Sequence, residues 1–552
     1  FTGQPIAYIY SHVFLILTIF IFSLGAMIHA LRSGRKFWLF TALALLASLM
    51  SMMTVEYFFG LELLRPVLLW LVVAETTTDA RRRLRRVLKY WSPYLAGMMI
   101  FLIWRLVLFK SPRASTDQAF FLRSFLNHPV AESATRLRYV FTDVVKTSLL
   151  AWAQTFHQDI VAFESRSVWI ALALGLIVAL AIILYLVRVK FVKEHRPIDL
   201  DQLRWAKQAI GLGLLAIFLG QIPFWFSNRE VQLNSLFDRN ALPAILGSAI
   251  LLFGLIERLI RTQLQRAIIV GVIVGLAVGF HFRNASRFRQ DWLAQNSLVW
   301  QLSWRVPDLK PGTSIVMPRI DPPLSFTGEF ALAVPLNLIY ASKHSSPQLD
   351  YWLFNVGANR DLIKGRNLEG AMRGASFSGA ASESLVVLYS PPSCLRVLDP
   401  AREEQSQLTA QEQDLRFFSH VDRIVANGGS QARPPAAVFL PEPKPSWCYY
   451  FEQADLARQK GDWQRVTELG DEAHVVGLKA SDATEWMPFI EGYFKVGRYD
   501  DAQKTSERVI DDARARPVLC RLLASFEGSG STNAPSNSSV AEMKTRMSCS
   551  GL

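Results

Sequence analysis

The sequence predicts an α-helical polytopic membrane domain of about eight spans, followed by an extracytoplasmic α/β domain and a short helical segment with an internal echo. Three observations carry this. Of 552 residues, 51% are apolar and only 19% charged, with a mean hydropathy of +0.20. Apolar runs of about twenty residues, each able to cross about 30 Å of hydrocarbon, recur to about residue 282 and then stop. The charge divides at the same place: residues 1–282 hold 29 Lys+Arg against 15 Asp+Glu, and the remainder holds 30 against 31. All the excess positive charge therefore belongs to the membrane half, in its loops. Nucleic-acid binding, which needs basic residues gathered on one soluble face, is excluded as a partner class.

The spans read as about 6–30, 37–54, 61–74, 92–110, 168–187, 208–226, 241–257 and 267–282. The third is short for a full crossing. The first run, Ile6 to Ala30, lacks a basic leading region and is too long for a signal peptide. The chain starts at Phe1 just before it, which fits either removal of upstream sequence or a piece of a longer protein. One alternating set of loops, 31–36, 75–90, 188–207 and 258–266, carries 18 Lys+Arg over 51 residues; the opposite set, 55–65, 111–167 and 227–240, carries 9 over 82. Basic loops stay on the cytoplasmic side, so the first set is inside, with Arg81 to Lys89 as its anchor on the lipid bilayer. Eight spans then leave everything after residue 282 outside.

Residues 283–446 read as that extracytoplasmic domain with its linker. A helix over 283–310 carries Trp292, Trp300 and Trp304 as packing or interface anchors. Strand-like runs Thr313 to Met317 and Leu385 to Tyr389 follow, and the Gly/Pro/Ala-rich stretch 426–446 is the linker. All four cysteines lie in this tail, which fits an oxidising compartment, and Cys394 is expected to bridge to Cys448, with Cys520 and Cys549 as competing partners. Residues 447–527 are helical, with Gly461 and Gly497 in two similar turns 36 residues apart. That spacing resembles a short tetratricopeptide pair, a surface for a protein partner. The last stretch, 528–552, is Gly/Ser/Asn-rich at its start and expected to be disordered.

No phosphate-binding glycine loop, nucleophile elbow or zinc-protease motif occurs, and no His/Cys cluster has zinc spacing, so no metal ligand is assigned. Whether a divalent ion takes part is left open by the residues. Chemistry is sought instead in polar residues at outer span ends, where burial is expensive. The turn Thr54-Val55-Glu56-Tyr57 with Glu62 and Arg65 holds two carboxylates and an arginine. Glu56 suits either a solvated helix end or a cleft. The run Phe237-Asp238-Arg239-Asn240-Ala241-Leu242-Pro243 opens the seventh span. Asp238 or Asn240 could cap it, while Arg239 beside helix-end N–H groups suits a phosphate. In the long outer loop an amphipathic helix over 135–160, apolar at Leu137, Val140, Phe141, Val144, Leu149 and Trp152, is expected on the membrane surface, with His157, Asp159 and Glu164 near its end. Arg105 should snorkel outward or pair with a carboxylate.

The Thr-Val-Glu-Tyr run and the Asp-Arg-Asn-Ala-Leu-Pro run resemble motifs of the C-type integral-membrane glycosyltransferases. The helical tail resembles the repeats carried by some membrane O-mannosyltransferases. The resemblance covers about residues 1–282. It implies a transferase that takes a sugar from a polyprenyl-phosphate carrier at the outer face of a bacterial inner or plasma membrane. A carboxylate would deprotonate the acceptor while cations hold the departing phosphate. It further implies Arg239, with Asp238, Glu62 and Arg65, as substrate-binding residues and Glu56 as a supporting acid. The sequence departs from the family in one respect: the catalytic Asp generally follows the first span in an outer loop, and here that segment is an inner turn without an acid. A non-catalytic scaffold whose outer helical module recruits a partner for envelope assembly is the alternative. A transporter with inverted repeats fits less well, since no matching pair of Gly/Pro-broken spans is evident.

Overall fold

A computed structural model describes residues 11–109, 124–156, 166–190, 200–233, 236–318, 329–341, 347–355, 362, 364–372, 374–402, 408–425, 433–526 and 537–549. The chain is mostly helical and divides into two compact units, Phe1–Arg289 and Gln290–Leu552.

In the first unit, α1 (Ser11–Ser33), α2 (Phe37–Thr54), α3 (Arg65–Ala74), α4 (Ala80–Ile103), α5 (Pro129–Val145), α6 (Arg166–Lys190), α7 (Leu200–Phe226) and α8 (Ile245–Leu259) precede α9 (Gln263–Arg305). Among the described residues eight stretches are long and apolar enough to cross a membrane: Ser11–Ser33, Phe37–Thr54, Glu56–Ala74, Ala80–Leu108, Arg166–Arg188, Leu203–Phe226, Phe237–Leu259 and Gln263–Arg305. The outer surface is apolar, unlike that of a water-soluble bundle, and the interior, itself mostly apolar, also holds polar groups. Leu15, Trp38, Leu46, Ile100 and Leu176 are exposed, while Ser23, Ser48, Glu62, Arg65, Gln221 and Ser248 are buried. Polar groups that cannot be hydrated in hydrocarbon find one another inside, and apolar side chains face outward.

The short third span acquires its length from its conformation. Glu56–Leu64 is a nine-residue 3₁₀ helix running directly into α3. At about 2.0 Å per residue it contributes about 18 Å, and the ten residues of α3 contribute about 15 Å at 1.5 Å each, together enough for the hydrocarbon thickness. A second nine-residue 3₁₀ helix, Leu236–Ala244, runs into α8 in the same way. Such elements seldom exceed three or four residues, and packing explains both. They lie against neighbouring turns of α7 and against each other. A Cβ on Gly60 would overlap the Leu219 carbonyl, so only glycine permits that approach.

The helix expected over 135–160 is present over its described residues as α5, continued by a π turn at Lys146–Leu150 and a 3₁₀ turn at Gln154–Phe156; 157–160 lie outside the described residues. Its expected apolar side is divided. Leu137, Phe141 and Leu149 are exposed, and the buried face is instead Asp143, Thr147 and Ala151, against α7 and α8. The indole of Trp152 donates to Ser248 Oγ at 2.9 Å, and that hydroxyl donates to the Thr147 carbonyl at 2.9 Å. A helix that buries its polar side and exposes leucine and phenylalanine is partnered by hydrocarbon or by another apolar surface.

The second unit contains β1 (Ser314–Val316), α10 (Glu329–Tyr340), β2 (Trp352–Phe354), the hairpin strands β3 (Leu368–Met372) and β4 (Ala375–Gly379), β5 (Ser384–Leu388), β6 (Arg396–Val397) and α11 (Ala410–Arg416). The expected strand runs are β1 and β5, adjacent and parallel in a sheet of order β2-β1-β5-β6 with β6 antiparallel. Asn337 of α10 donates to the Tyr351 carbonyl at 2.8 Å and locks the helix to β2. Trp300 and Trp304 are buried, with indoles bonded to the Leu440 carbonyl and to Glu442. The expected linker, where it is described over 433–446, is exposed at 436–438 and 440–446 and is held through Phe439, which is buried and stacked on Trp292.

The helical segment comprises α12 (Trp447–Lys460), α13 (Trp463–Val475), α14 (Met487–Lys495), α15 (Tyr499–Ser506) and α16 (Ala515–Ser525). Its two hairpins turn at Gly461 and Gly497, whose φ of +74° and +82° require glycine. It is not a detached module, because Arg305 donates to Asp455 at 2.7 Å and Cys394 is bridged to Cys448, Cα to Cα 5.2 Å. Cys520 and Cys549 form a second bridge. This corrects the expectation of a disordered end for residues 537–549: α17 (Asn537–Arg546) buries Val540 and Met543 against the core and is tied down by that disulfide. Low complexity over 528–539 concealed the apolar pair Val540 and Met543, at helical spacing, that follows it.

Candidate functional site

Glu56 opens the first 3₁₀ helix immediately after extended Val55. Its carboxylate accepts a hydrogen bond from Arg105 Nε, the ion pair foreseen as one of two fates for that arginine. The two partners are unequally placed: the Glu56 side chain is 51% exposed and that of Arg105 only 12%. Arg105 stands in a π turn, Trp104–Leu108, that ends α4, with the ring of Phe109 4.7 Å from its guanidinium. Tyr57 packs edge-on against Phe224 of α7, ring centres 5.1 Å apart, and Phe59 packs on Phe101 of α4. Aromatic side chains thus hold the first 3₁₀ helix on two neighbours.

The second 3₁₀ helix carries Asp238, Arg239 and Asn240. Asn240 Nδ2 donates to the Glu230 carbonyl at 2.8 Å, and its own carbonyl accepts from Gln221 Nε2 at 3.0 Å. Both bonds fix the segment to the end of α7 and the turn after it. Arg239 is half-buried, its guanidinium 5.7 Å from the Phe237 ring. Asp238 is buried, with no hydrogen-bond partner for Oδ1 among the described residues. Neither Asp238 nor Asn240 caps a helix: both lie inside the 3₁₀ run, and α8 starts without a side-chain cap.

Glu62 and Arg65 sit elsewhere. They form a completely enclosed ion pair, 1% and 0% exposed. Ser48 donates to Glu62 at 2.8 Å, Arg65 Nη2 donates to Ser23 at 2.8 Å and to Glu62 at 3.0 Å, and the guanidinium lies 4.5 Å from the Tyr94 ring. These partners come from α1, α2 and α4, so the pair is a polar core of that four-span group. Six residues of 3₁₀ helix, about 12 Å, separate Glu62 from Glu56.

A buried carboxylate that the sequence reading passed over is Asp143 in α5. It accepts from the Trp225 indole at 3.0 Å and the Val231 amide at 3.1 Å, with Lys146 Nζ at 3.8 Å. Burial pushes its carboxyl above the ordinary value, and those donors and the lysine pull it partly back. Lys146 also donates to the Val231 carbonyl at 2.6 Å, so the pair clamps the segment joining α7 to the second 3₁₀ helix. The available signal was an Asp-x-x-Lys spacing on a helix otherwise read for its apolar side. His157, Asp159 and Glu164 lie outside the described residues. Among the described residues, no group of three or more His, Cys, Asp or Glu is placed to hold a metal.

Of the sequence-predicted residues, then, Glu62 is joined to Arg65 and Glu56 to Arg105, and the helices bearing Glu56 and Asp238–Arg239 share one bed on α7. Comparison of the chain with protein-family models, with curated proteins and with solved structures finds no match.

Proposed function

We propose that the first unit is the membrane portion of a glycosyltransferase that takes a sugar from a polyprenyl-phosphate carrier and passes it to an acceptor on the outer face of the membrane. The observation that carries this reading is the packing of the two motif-bearing 3₁₀ helices on one helix and on each other, although 180 residues separate their first positions, Glu56 and Leu236. A carboxylate and a guanidinium are then available at the start of adjacent segments. Arg239 is assigned to the departing phosphate, Asp238 to the same segment's substrate contacts, and Glu56 to a supporting acid. The basic loops are cytoplasmic in this reading, and the second unit is extracytoplasmic, where its two disulfides would persist. Its helical hairpins are assigned to a protein partner, in the manner of a tetratricopeptide pair.

The test is turnover of a polyprenyl-phosphate-linked sugar by the full chain in membranes. Arg239→Ala should lower it by about 2 kcal/mol in transition-state stabilisation, roughly thirtyfold, as for loss of a partly buried charge-assisted contact. Unchanged turnover in that variant retires the assignment of Arg239. No turnover by the wild type, with a protein retained by residues 447–527, would favour the scaffold instead.

A further inference from the structure

The Glu56–Arg105 pair leaves most of the guanidinium unused. Arginine offers five N–H donors in a planar fork. Arg105 commits Nε to Glu56, and among the described residues neither Nη1 nor Nη2 meets an acceptor. The contrast with Arg65 is direct, since that residue delivers Nε and Nη2 to Glu62 and Ser23 and turns Nη1 toward the Met27 sulfur. Arg65 is finished as a structural group; Arg105 is not.

The unequal exposure of the pair gives it a direction. Glu56, half in solvent, can release the guanidinium and remain hydrated. Arg105, 12% exposed and covered on one side by Phe109, has no such freedom. Glu56 regains water when it leaves, and an incoming anion that takes the open Nη1/Nη2 edge makes more hydrogen bonds to the guanidinium than the one it displaces. An open Nη1/Nη2 edge matches two oxygens of a phosphate in bidentate fashion. Phe101, Trp104 and Phe109, with successive ring centres 6.0 and 5.0 Å apart, make an apolar wall beside it.

We infer that Arg105 is a phosphate-binding residue whose fork is held ready by Glu56, which acts as an internal anion that the ligand displaces. The inference rests on the transferase reading only for which phosphate arrives there. It assigns Glu56 an effect opposite to that of a residue needed for binding: removing its charge should tighten anion binding, because the resident competitor is gone.

The experiment uses the full chain in phosphatidylcholine nanodiscs and equilibrium binding of radiolabelled farnesyl phosphate, with inorganic phosphate as a second arm. Arg105→Lys, which keeps the charge and loses the fork, should weaken binding by about tenfold or more, and Glu56→Gln should strengthen it by about threefold or more. Farnesyl phosphate bound far better than inorganic phosphate would identify a lipid headgroup as the source, and equal binding a free phosphate; both agree with the inference. Binding unchanged in Arg105→Lys, or weakened in Glu56→Gln, overturns it. Because the readout is binding, it is separable from the transferase reading. Anion affinity that responds as expected in a protein that never turns over a lipid-linked sugar would remove the transferase reading and leave Arg105 in place.

Discussion

Replacing Arg65 by methionine tests whether the enclosed Glu62–Arg65 pair is architecture or ligand site. The substitution removes both hydrogen bonds that Arg65 gives Glu62 and leaves the carboxylate with Ser48 as its remaining donor in a site 1% exposed. Breaking a buried ion pair from one side costs about 3–5 kcal/mol, because the surviving charge is uncompensated. Glu62→Leu/Arg65→Met removes both charges and fills similar volume. Its remaining defect is the orphaned Ser48 hydroxyl, about 1–2 kcal/mol, since Ser23 retains its bond to the Ala44 carbonyl. The double variant should therefore recover about 1–4 kcal/mol over the single one. The assay is equilibrium unfolding in mixed micelles for wild type, both single variants and the double. A single variant as stable as wild type, or a double variant no better than the single, would refute the reasoning. A double variant that is stable but no longer binds anion would return the pair to the ligand site.

Glu452 in α12 is fully buried, and among the described residues neither carboxylate oxygen has a hydrogen-bond partner. Burial pushes its carboxyl well above the ordinary value of 4.5; Asp455 and Glu485 add to the rise, and Arg305 and Arg396 oppose it. The folded state thus keeps a proton that the unfolded chain has released, so this contribution is complete at acid pH and is lost as pH rises from about 4.5 through the folded-state value. Glu452→Gln should flatten that decline in melting temperature between pH 5 and 8 and exceed wild type at the upper end; parallel profiles would refute the buried neutral acid. Removal of either disulfide should also destabilise the second unit. The 54-residue separation of Cys394 and Cys448 corresponds to about 4 kcal/mol of chain entropy, and the 29-residue separation of Cys520 and Cys549 to slightly less. Paired Cys→Ser variants that melt with wild type would contradict this.

What the sequence disclosed followed from periodicity and composition. Apolar runs of membrane-spanning length stand out in the letters, so the number of membrane-length helices and most of their positions were legible. Strands β1 and β5, the turn glycines Gly461 and Gly497, and the Cys394–Cys448 bridge were legible for similarly local reasons. What it concealed depended on conformation. A nine-residue 3₁₀ run has no distinctive composition, so the third span read as too short. The same blindness hid the Glu62–Arg65 contact. Positions three apart nearly eclipse in a 3₁₀ helix, which brings these two onto one face at the junction with α3, yet nothing in the letters distinguishes that from a solvated turn. Asp143 was overlooked because its helix was read by its leucines, whereas the side that is buried, against α7 and α8, is the polar one.

The two carboxylate–arginine pairs of the third span show how far residue identity can lead. Both take their Glu from the third span and join it to an Arg, and Glu56, Glu62 and Arg65 were all expected at one substrate site when only their order was known. Burial separates them. With 1% and 0% exposure and its donors directed to Glu62, Ser23 and Met27, the Glu62–Arg65 pair has no place for a ligand oxygen, and its removal should be felt first as lost stability. With 51% and 12% exposure and two terminal nitrogens uncommitted among the described residues, the Glu56–Arg105 pair can exchange its anion for one that also engages the open edge. A charged pair near a membrane surface is therefore assigned to function or to fold by its unspent hydrogen-bonding capacity. On that criterion the position to test for ligand chemistry is Arg105, which the sequence had left as a residue in search of a partner.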